Sequence, residues 1–466
     1  MSLKGLLSPA ISSWWLSEAR QRRQRGRVER ARRARGEPHR IDYFHQPDDP
    51  YSALAAAALP ALARRYEIAL VAHVVGPPDD AAAPERDRLA AWSRLDASRL
   101  ARRHGLRFED PGRAPSPAAL AVATHRLLEA SASGRFVDAA ADTTLEAWAA
   151  PADGTAPPGP PGDAAAHLAA SATRRARLGH YLGATFHYGG EWYWGIDRLH
   201  HLERRLQALG AARAGVEGVL FEPDLVDDRD GHATGAGAGE GVVDRHDRDD
   251  PDAPGHDGPS QAARSPADAP VLDFWFSLRS PYTAIAAPRV IRLARRHGAT
   301  LRLRGLLPMV MRGLPVPPAK RRYIAADAAR EARLHGVPFG RIVDPVGRPA
   351  ERGLAVMAHA LRAGRGEAFL LSFLQGAWAE GVDAGADRGL RGLCERAELD
   401  WGDCRAALAD DAWRADAERH RTALFERGLW GVPSLAVGDV AAWGQDRLWV
   451  AREALRRTSP ETGGRR

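Results

Sequence analysis

The sequence predicts an α/β fold built as two tandem domains of one architecture, each with a block of helices inserted in its middle. Three observations predict it. Asp42 to Ser52 aligns with Asp273 to Thr283 without a gap, at an offset of 231 (280 − 49), and the same offset aligns Asp96 to Gly105 with Asp327 to Gly336. Near each repeat's end, Tyr193-Trp-Gly-Ile-Asp-Arg-Leu199 parallels Ala442-Trp-Gly-Gln-Asp-Arg-Leu448 at an offset of 249 (443 − 194). In both stretches the order strand, helix, strand, helical block, hairpin and closing helix can be read from the spacing of apolar residues.

In chain order, residues 1–38 form a basic arm whose arginines crowd between Arg20 and Arg35. Such a run can meet nucleic acid or an anionic surface. In a chain whose lysines are only Lys4 and Lys320, however, arginine is the ordinary cation, and we read a solvated helix or frayed arm with no specific nucleic-acid partner. The Trp14-Trp15 pair suits docking on a domain or a lipid interface. Residues 39–214 form the first domain: strand 41–45, helix 53–66, strand 68–75, helices between 87 and 150, a Pro/Gly-rich loop 151–164, helix 165–180, a hairpin turning at Tyr188-Gly-Gly-Glu191, and a helix 197–209. Residues 225–270 are Gly, Asp, His, Ala and Pro with few large apolar side chains, the composition of a disordered linker. The histidines there (His232, His246, His256) read as solvated rather than metal-binding. Residues 271–457 form the second domain: strand 271–276, helix 284–297, strand 300–306, helices from 318 to 426, a hairpin within 431–443 and a closing helix from Asp446. This is the thioredoxin order with inserted helices.

With 466 residues and a formal net charge of +7, there is material for two cores. Two cysteines, Cys394 and Cys404, exclude a disulfide framework, and neither copy has Cys-x-x-Cys. No segment approaches the roughly 18 apolar residues of a membrane span. A soluble, cytoplasmic protein is expected.

The loop between first strand and first helix of the second domain ends in Arg279-Ser280-Pro281-Tyr282. Ser280 is a good helix N-cap and Pro281 suits the first helical position. A hydroxyl there stands at the positive end of a helix dipole, where an anion such as a thiolate is stabilised. The first copy has Asp49 in its place, and a carboxylate repels a thiolate. His104 and His335 precede Gly at corresponding helix ends and read as C-terminal caps.

Asp273-Phe-Trp-Phe-Ser-Leu-Arg-Ser-Pro-Tyr282, Lys320 with Tyr323 and Asp327, Gly431-Val-Pro433 and Trp443-Gly-Gln-Asp-Arg-Leu448, occurring in this order, resemble the 2-hydroxychromene-2-carboxylate isomerase and kappa-class glutathione transferase family of DsbA-like thioredoxin domains. The resemblance spans 271–457, and 39–214 looks like a degenerate relative. It implies glutathione as cofactor and a small, aromatic substrate, with Ser280 stabilising the glutathione thiolate. It also implies that Lys320, Val432, a cis Pro433, Gln445 and Asp446 bind the cofactor. No metal is implied. The sequence departs from the family between Met309 and Ala319, which is shorter and lacks a pocket Asn, and at Ser277, where an acidic residue is common. By the same resemblance the first domain is silent towards glutathione, Trp194-Gly195 and Asp197-Arg198 are structural (an aromatic plug and a helix-start ion pair), and the two domains pack as a pseudo-dimer. The alternative is a non-catalytic thioredoxin-fold binding or scaffold protein. A DsbA-type thiol oxidoreductase is disfavoured by the missing Cys-x-x-Cys.

Overall fold

A computed structural model describes residues 9–151, 162–225 and 269–458. The 225–270 linker, apart from its ends, and most of the 151–164 loop lie outside the described residues. The first half begins with helices α1 (Pro9–Leu16) and α2 (Glu18–Ala34). It continues through β1 (His39–His45), α3 (Pro50–Arg65), β2 (Ile68–Val74), α4 (Arg86–His104), α5 (Pro117–Ala132), α6 (Phe136–Ala149) and α7 (Gly162–Leu178). β3 (Thr185–Tyr188), β4 (Glu191–Trp194) and α8 (Leu199–Ala208) close it. The second half runs β5 (Val271–Phe276), α9 (Pro281–Arg296), β6 (Thr300–Gly305) and α10 (Pro318–Leu334). Then follow α11 (Arg348–Arg362), α12 (Gly366–Gln375), α13 (Asp387–Arg396), α14 (Trp401–Ala407), α15 (Ala412–Glu426), β7 (Ser434–Val437), β8 (Val440–Trp443) and α16 (Leu448–Thr458).

Each half holds one four-stranded sheet, ordered β2-β1-β3-β4 and β6-β5-β7-β8. In both, the first two strands are parallel and the last two form an antiparallel hairpin. β1 and β5 are central and largely buried, which explains why β5 reads as a near-continuous apolar run; in β1 the buried polar side chains are partnered, Asp42 with His73 at 2.8 Å and His45 with Thr144 at 2.9 Å. The β3–β4 turn requires two residues at positive φ, and Gly189 (53°) and Gly190 (82°) supply them. Behind the sheets Tyr43, Phe186 and Leu199, and Phe274, Leu435 and Leu448, are among the buried residues of one large apolar core.

The halves meet through reciprocal ion pairs. Arg198 reaches into the second half, its Nε donating to Asp327 at 3.0 Å and its Nη1 to Asp446 at 2.9 Å. Arg447 reaches into the first, with Nε at 2.9 Å from Asp96 Oδ1 and Nη2 at 2.8 Å from Asp197 Oδ2. Tyr51 and Tyr282 each donate a 2.8 Å hydrogen bond to the aspartate in their own half, Asp96 and Asp327. The expected helix-start ion pair is therefore corrected: Asp197 and Arg198 are neighbours in sequence, but each takes its partner from the other half. Trp92 also crosses, packing beside Trp443 with ring centroids 6.4 Å apart.

The basic arm is neither frayed nor merely solvated. Ser17 caps α2, accepting from Arg20 N at 3.2 Å. Arg25 makes a two-pronged contact with Glu191 at 2.7 Å, tying α2 to the first half. α1 leans on the second half, where Ser12 Oγ accepts from Ile342 N at 2.9 Å and Leu16 O from Arg333 Nη1 at 3.1 Å. Arg25 is thus engaged in packing, while Arg22, Arg23, Arg27, Arg30, Arg33 and Arg35 stay exposed, as expected of a solvated helix, and Trp14 alone of the tryptophan pair is exposed.

Candidate active site

Between the halves lies a cavity of about 780 Å³, lined by residues of both. Ser280, Lys320, Val432, Pro433, Gln445 and Asp446 all contribute to its wall. Ser280 is the N-cap of α9 and accepts from Thr283 N at 3.1 Å, with Pro281 at the first turn. A hydroxyl that accepts through a lone pair keeps its O–H free to donate. Helix geometry thus directs a donor and a positive dipole end at the same cavity.

Lys320 sits on the first turn of α10. Its Nζ donates to the carbonyl of Ala82 in the first half at 2.8 Å, and burial pushes its pKa down to about 8. The 77–86 segment that carries Ala82 is also held by Trp430 Nε1, which donates to Glu85 Oε2 at 2.6 Å. It forms part of the cavity wall, so the first half covers the second half's site. Tyr323, one turn beyond Lys320, meets the edge of His180 at a centroid distance of 4.5 Å.

The Val432–Pro433 bond is cis, as the resemblance implies. It precedes β7 and follows Gly431, where an added Cβ would lie 2.5 Å from Trp443 Cζ2. Glycine therefore lets the Trp443 indole approach the Gly431 backbone closely.

Gln445 and Asp446 are placed at the cavity but their side chains are engaged elsewhere. The closing helix starts at Leu448, leaving both residues in the preceding turn. Gln445 accepts from Arg289 at 2.7 Å and donates to Glu331 Oε2 at 2.8 Å, so both ends of its amide are taken. Burial acts to raise the Asp446 carboxyl, but Arg447 and Arg198 overcome it and hold the group below the usual carboxylate range. Arg279, directly before Ser280, is paired with Asp344 at 2.8 and 2.9 Å.

On the first half's side Asp49 faces the same cavity. Asp49 caps α3, accepting from Ser52 N at 3.0 Å, and burial raises its pKa to about 7 against the pull of those hydrogen bonds. Leu89 and Gly183, at sequence offsets of 231 and 249 from Lys320 and Val432, also line the cavity. A Cβ on Gly183 would come 2.5 Å from Gln46 Cβ, so glycine there admits the close approach of the Gln46 side chain. Cys394 and Cys404 are buried in the inserted helices away from the cavity, and burial pushes both thiols upward. His104 is not the cationic cap expected: burial lowers it to about 4, and it stacks edge-on to Phe221. Sequence reasoning missed the 77–86 cover, which has no motif of its own, and the engagement of Gln445, whose partner Arg289 lies 156 residues away. Among the described residues no helix is long and apolar enough to cross a membrane.

Relatives among known proteins cover the C-terminal part of the chain. The chain is 26% identical over 195 residues to a 2-hydroxychromene-2-carboxylate isomerase of Pseudomonas putida, covering 40% of this chain and 95% of the relative. It is 27% identical over 185 residues to one of Sphingobium xenophagum, covering 38% and 93%. A solved 2-hydroxychromene-2-carboxylate isomerase structure aligns with 24% identity and a TM-score of 0.36 over 40% of this chain and 95% of the other. Residues 271–456 match the DSBA-like thioredoxin domain. The C-terminal part of the chain therefore has the DsbA-like thioredoxin fold, with 2-hydroxychromene-2-carboxylate isomerases among its homologues.

Proposed function

We propose that the protein is a glutathione-dependent isomerase or transferase of the 2-hydroxychromene-2-carboxylate isomerase type, acting on a small aromatic substrate. The observation that carries this reading is the convergence of Ser280, Lys320 and Val432–Pro433 on one large cavity in the domain that matches those relatives. Ser280 O–H donates to the glutathione sulfur, and the α9 dipole adds to its pull, so the bound thiol ionises below its usual value of about 8.5. The thiolate adds reversibly to an electrophilic carbon of the substrate. Lys320 and the Val432 backbone hold the tripeptide; with one N–H of Lys320 on the Ala82 carbonyl, two remain to donate. Gln445 and Asp446 act by shaping the turn behind it rather than through free side chains.

The same reading takes the two halves as an internal duplication paired like two subunits. The shared strand order and the reciprocal Arg198 and Arg447 contacts support it, because a two-fold interface makes each contact twice. The first half, with Asp49 in the serine position, is then a covering partner and not a second catalyst. A non-catalytic binding or scaffold protein is the rival reading, favoured by the engagement of Lys320 with Ala82.

Calorimetric titration of glutathione into wild type, Ser280→Ala and Lys320→Ala separates them. Binding that weakens in Lys320→Ala, with the bound thiol's pKa raised in Ser280→Ala, is the expected result. Absence of binding up to about 10 mM, weaker than roughly −2.7 kcal/mol, overturns the proposal in favour of the rival.

A further inference from the structure

A second cluster of chemistry-bearing residues lies at the seam, apart from the Ser280 cavity. His200 and His201 open α8 of the first half, and Glu331 faces them from α10 of the second. One ligand atom from each lies within 4.8 Å of the others. The two imidazoles lie side by side, 4.0 Å between centroids, although consecutive helix residues ordinarily diverge. His201 Nε2 is 2.7 Å from Glu331 Oε1. His200 is 2% exposed, and its buried Nε2 has no hydrogen-bond partner. A buried polar atom without a partner is costly, and this one is aimed at a seam that also holds a cavity of about 50 Å³ lined by His200 and Glu331.

We propose that His200, His201 and Glu331 form a binding site for one divalent first-row transition ion of the zinc class, which ties α8 to α10 and so one half to the other. Two imidazole nitrogens and a carboxylate oxygen are a donor set suited to such ions, and they leave a further position for water. Glu331 is oriented from behind by Gln445 Nε2 at 2.8 Å, as metal-bound carboxylates commonly are. Nearby guanidiniums have other partners. Arg198 donates to Asp327 and Asp446, Arg330 to Asp327, and Arg204 to Glu222, although Arg198 Nε still comes within 3.4 Å of Glu331 Oε1.

The duplication proposed above gives this cluster a counterpart in the seam. At the offsets 249 and 231, His200, His201 and Glu331 correspond to Trp449, Val450 and Leu100. In one copy of the seam these places are apolar; in the other they hold two imidazoles and a carboxylate. A generic seam does not need the polar set.

The test uses the full chain, stripped with a chelator and titrated with Co(II), and separately with Zn(II) under native mass spectrometry. One equivalent per chain is expected, with visible d–d absorption for Co(II), and the chelator should lower the wild type's thermal midpoint. His201→Val, which installs the counterpart residue, and His200→Gln should each weaken uptake about tenfold or more, while His125→Ala, at an exposed His–Glu pair, should not. No uptake by wild type, or uptake unchanged in both seam variants, overturns the site. Glutathione titration reads the Ser280 cavity independently, so failure there and failure here are distinguishable.

Discussion

The Arg447→Leu substitution tests the physical account of the seam most directly. Its guanidinium is 5% exposed and grips two carboxylates from the other half: Asp96 through Nε and Nη2, and Asp197 through Nη1 and Nη2. Asp96 is 3% exposed and would keep only the Tyr51 hydroxyl, whereas Asp197 is 23% exposed and can be met by water. The cost therefore comes mainly from Asp96, a buried charge left without its counter-ion, for which about 3–5 kcal/mol is expected. That is a 10²- to 10³-fold change or more in the folded population. Urea unfolding followed by tryptophan fluorescence measures it through the midpoint at unchanged slope. Adding Asp96→Asn should recover a substantial part, because the orphaned charge is then removed. Should Arg447→Leu prove too unstable to purify, Arg447→Lys asks the same question, since one ammonium cannot span both carboxylates. A loss below about 1 kcal/mol, the size of an exposed pair, would refute the reasoning.

Three further outcomes are expected. The folded chain keeps the Asp49 proton to about pH 7 while the unfolded chain releases it near 4; stability should fall as pH rises through that window, and Asp49→Asn should flatten the slope in chemical denaturation across pH. If a glutathione carboxylate meets Lys320, whose pKa is lowered to about 8, affinity for S-methylglutathione, which has no thiol to ionise, should decline as pH passes that value; an affinity flat from pH 7 to 9 by calorimetry would remove Lys320 from the pocket. Gly431→Ala places a Cβ against the Trp443 ring and should destabilise by about 1–3 kcal/mol, with a changed tryptophan emission as the ring shifts; an unaltered spectrum and midpoint would count against the close packing.

Local chemistry made much of this legible. The N-caps Asp49 and Ser280, the Pro that follows each, the Gly-Gly turn and the apolar central strands all act within a few residues, and the sequence displays them. The placement of Ser280, Lys320 and Val432–Pro433 at one cavity was readable only through the family resemblance. What stayed hidden depends on partners far along the chain. Arg198 and Asp327 are 129 residues apart, and nothing near either names the other, so adjacent Asp197 was the natural but mistaken partner. Burial changed roles as well: His104 looks like a cationic cap in sequence and is neutral once packed against Phe221. Of the arm's arginines, which the sequence placed in solvent, Arg25 alone is held by a distant partner among the described residues, Glu191.

A cavity walled by two parts of one continuous chain has a consequence for dilution. Two separate subunits that share a site lose it when their concentration falls below the dissociation constant, whereas a tether fixes the local concentration of one part around the other. Here Ser280 and the Ala82 segment that covers it are carried on the same polypeptide. The composite pocket should thus persist at any protein concentration, and each wall is free to change without the other having to change in the same way.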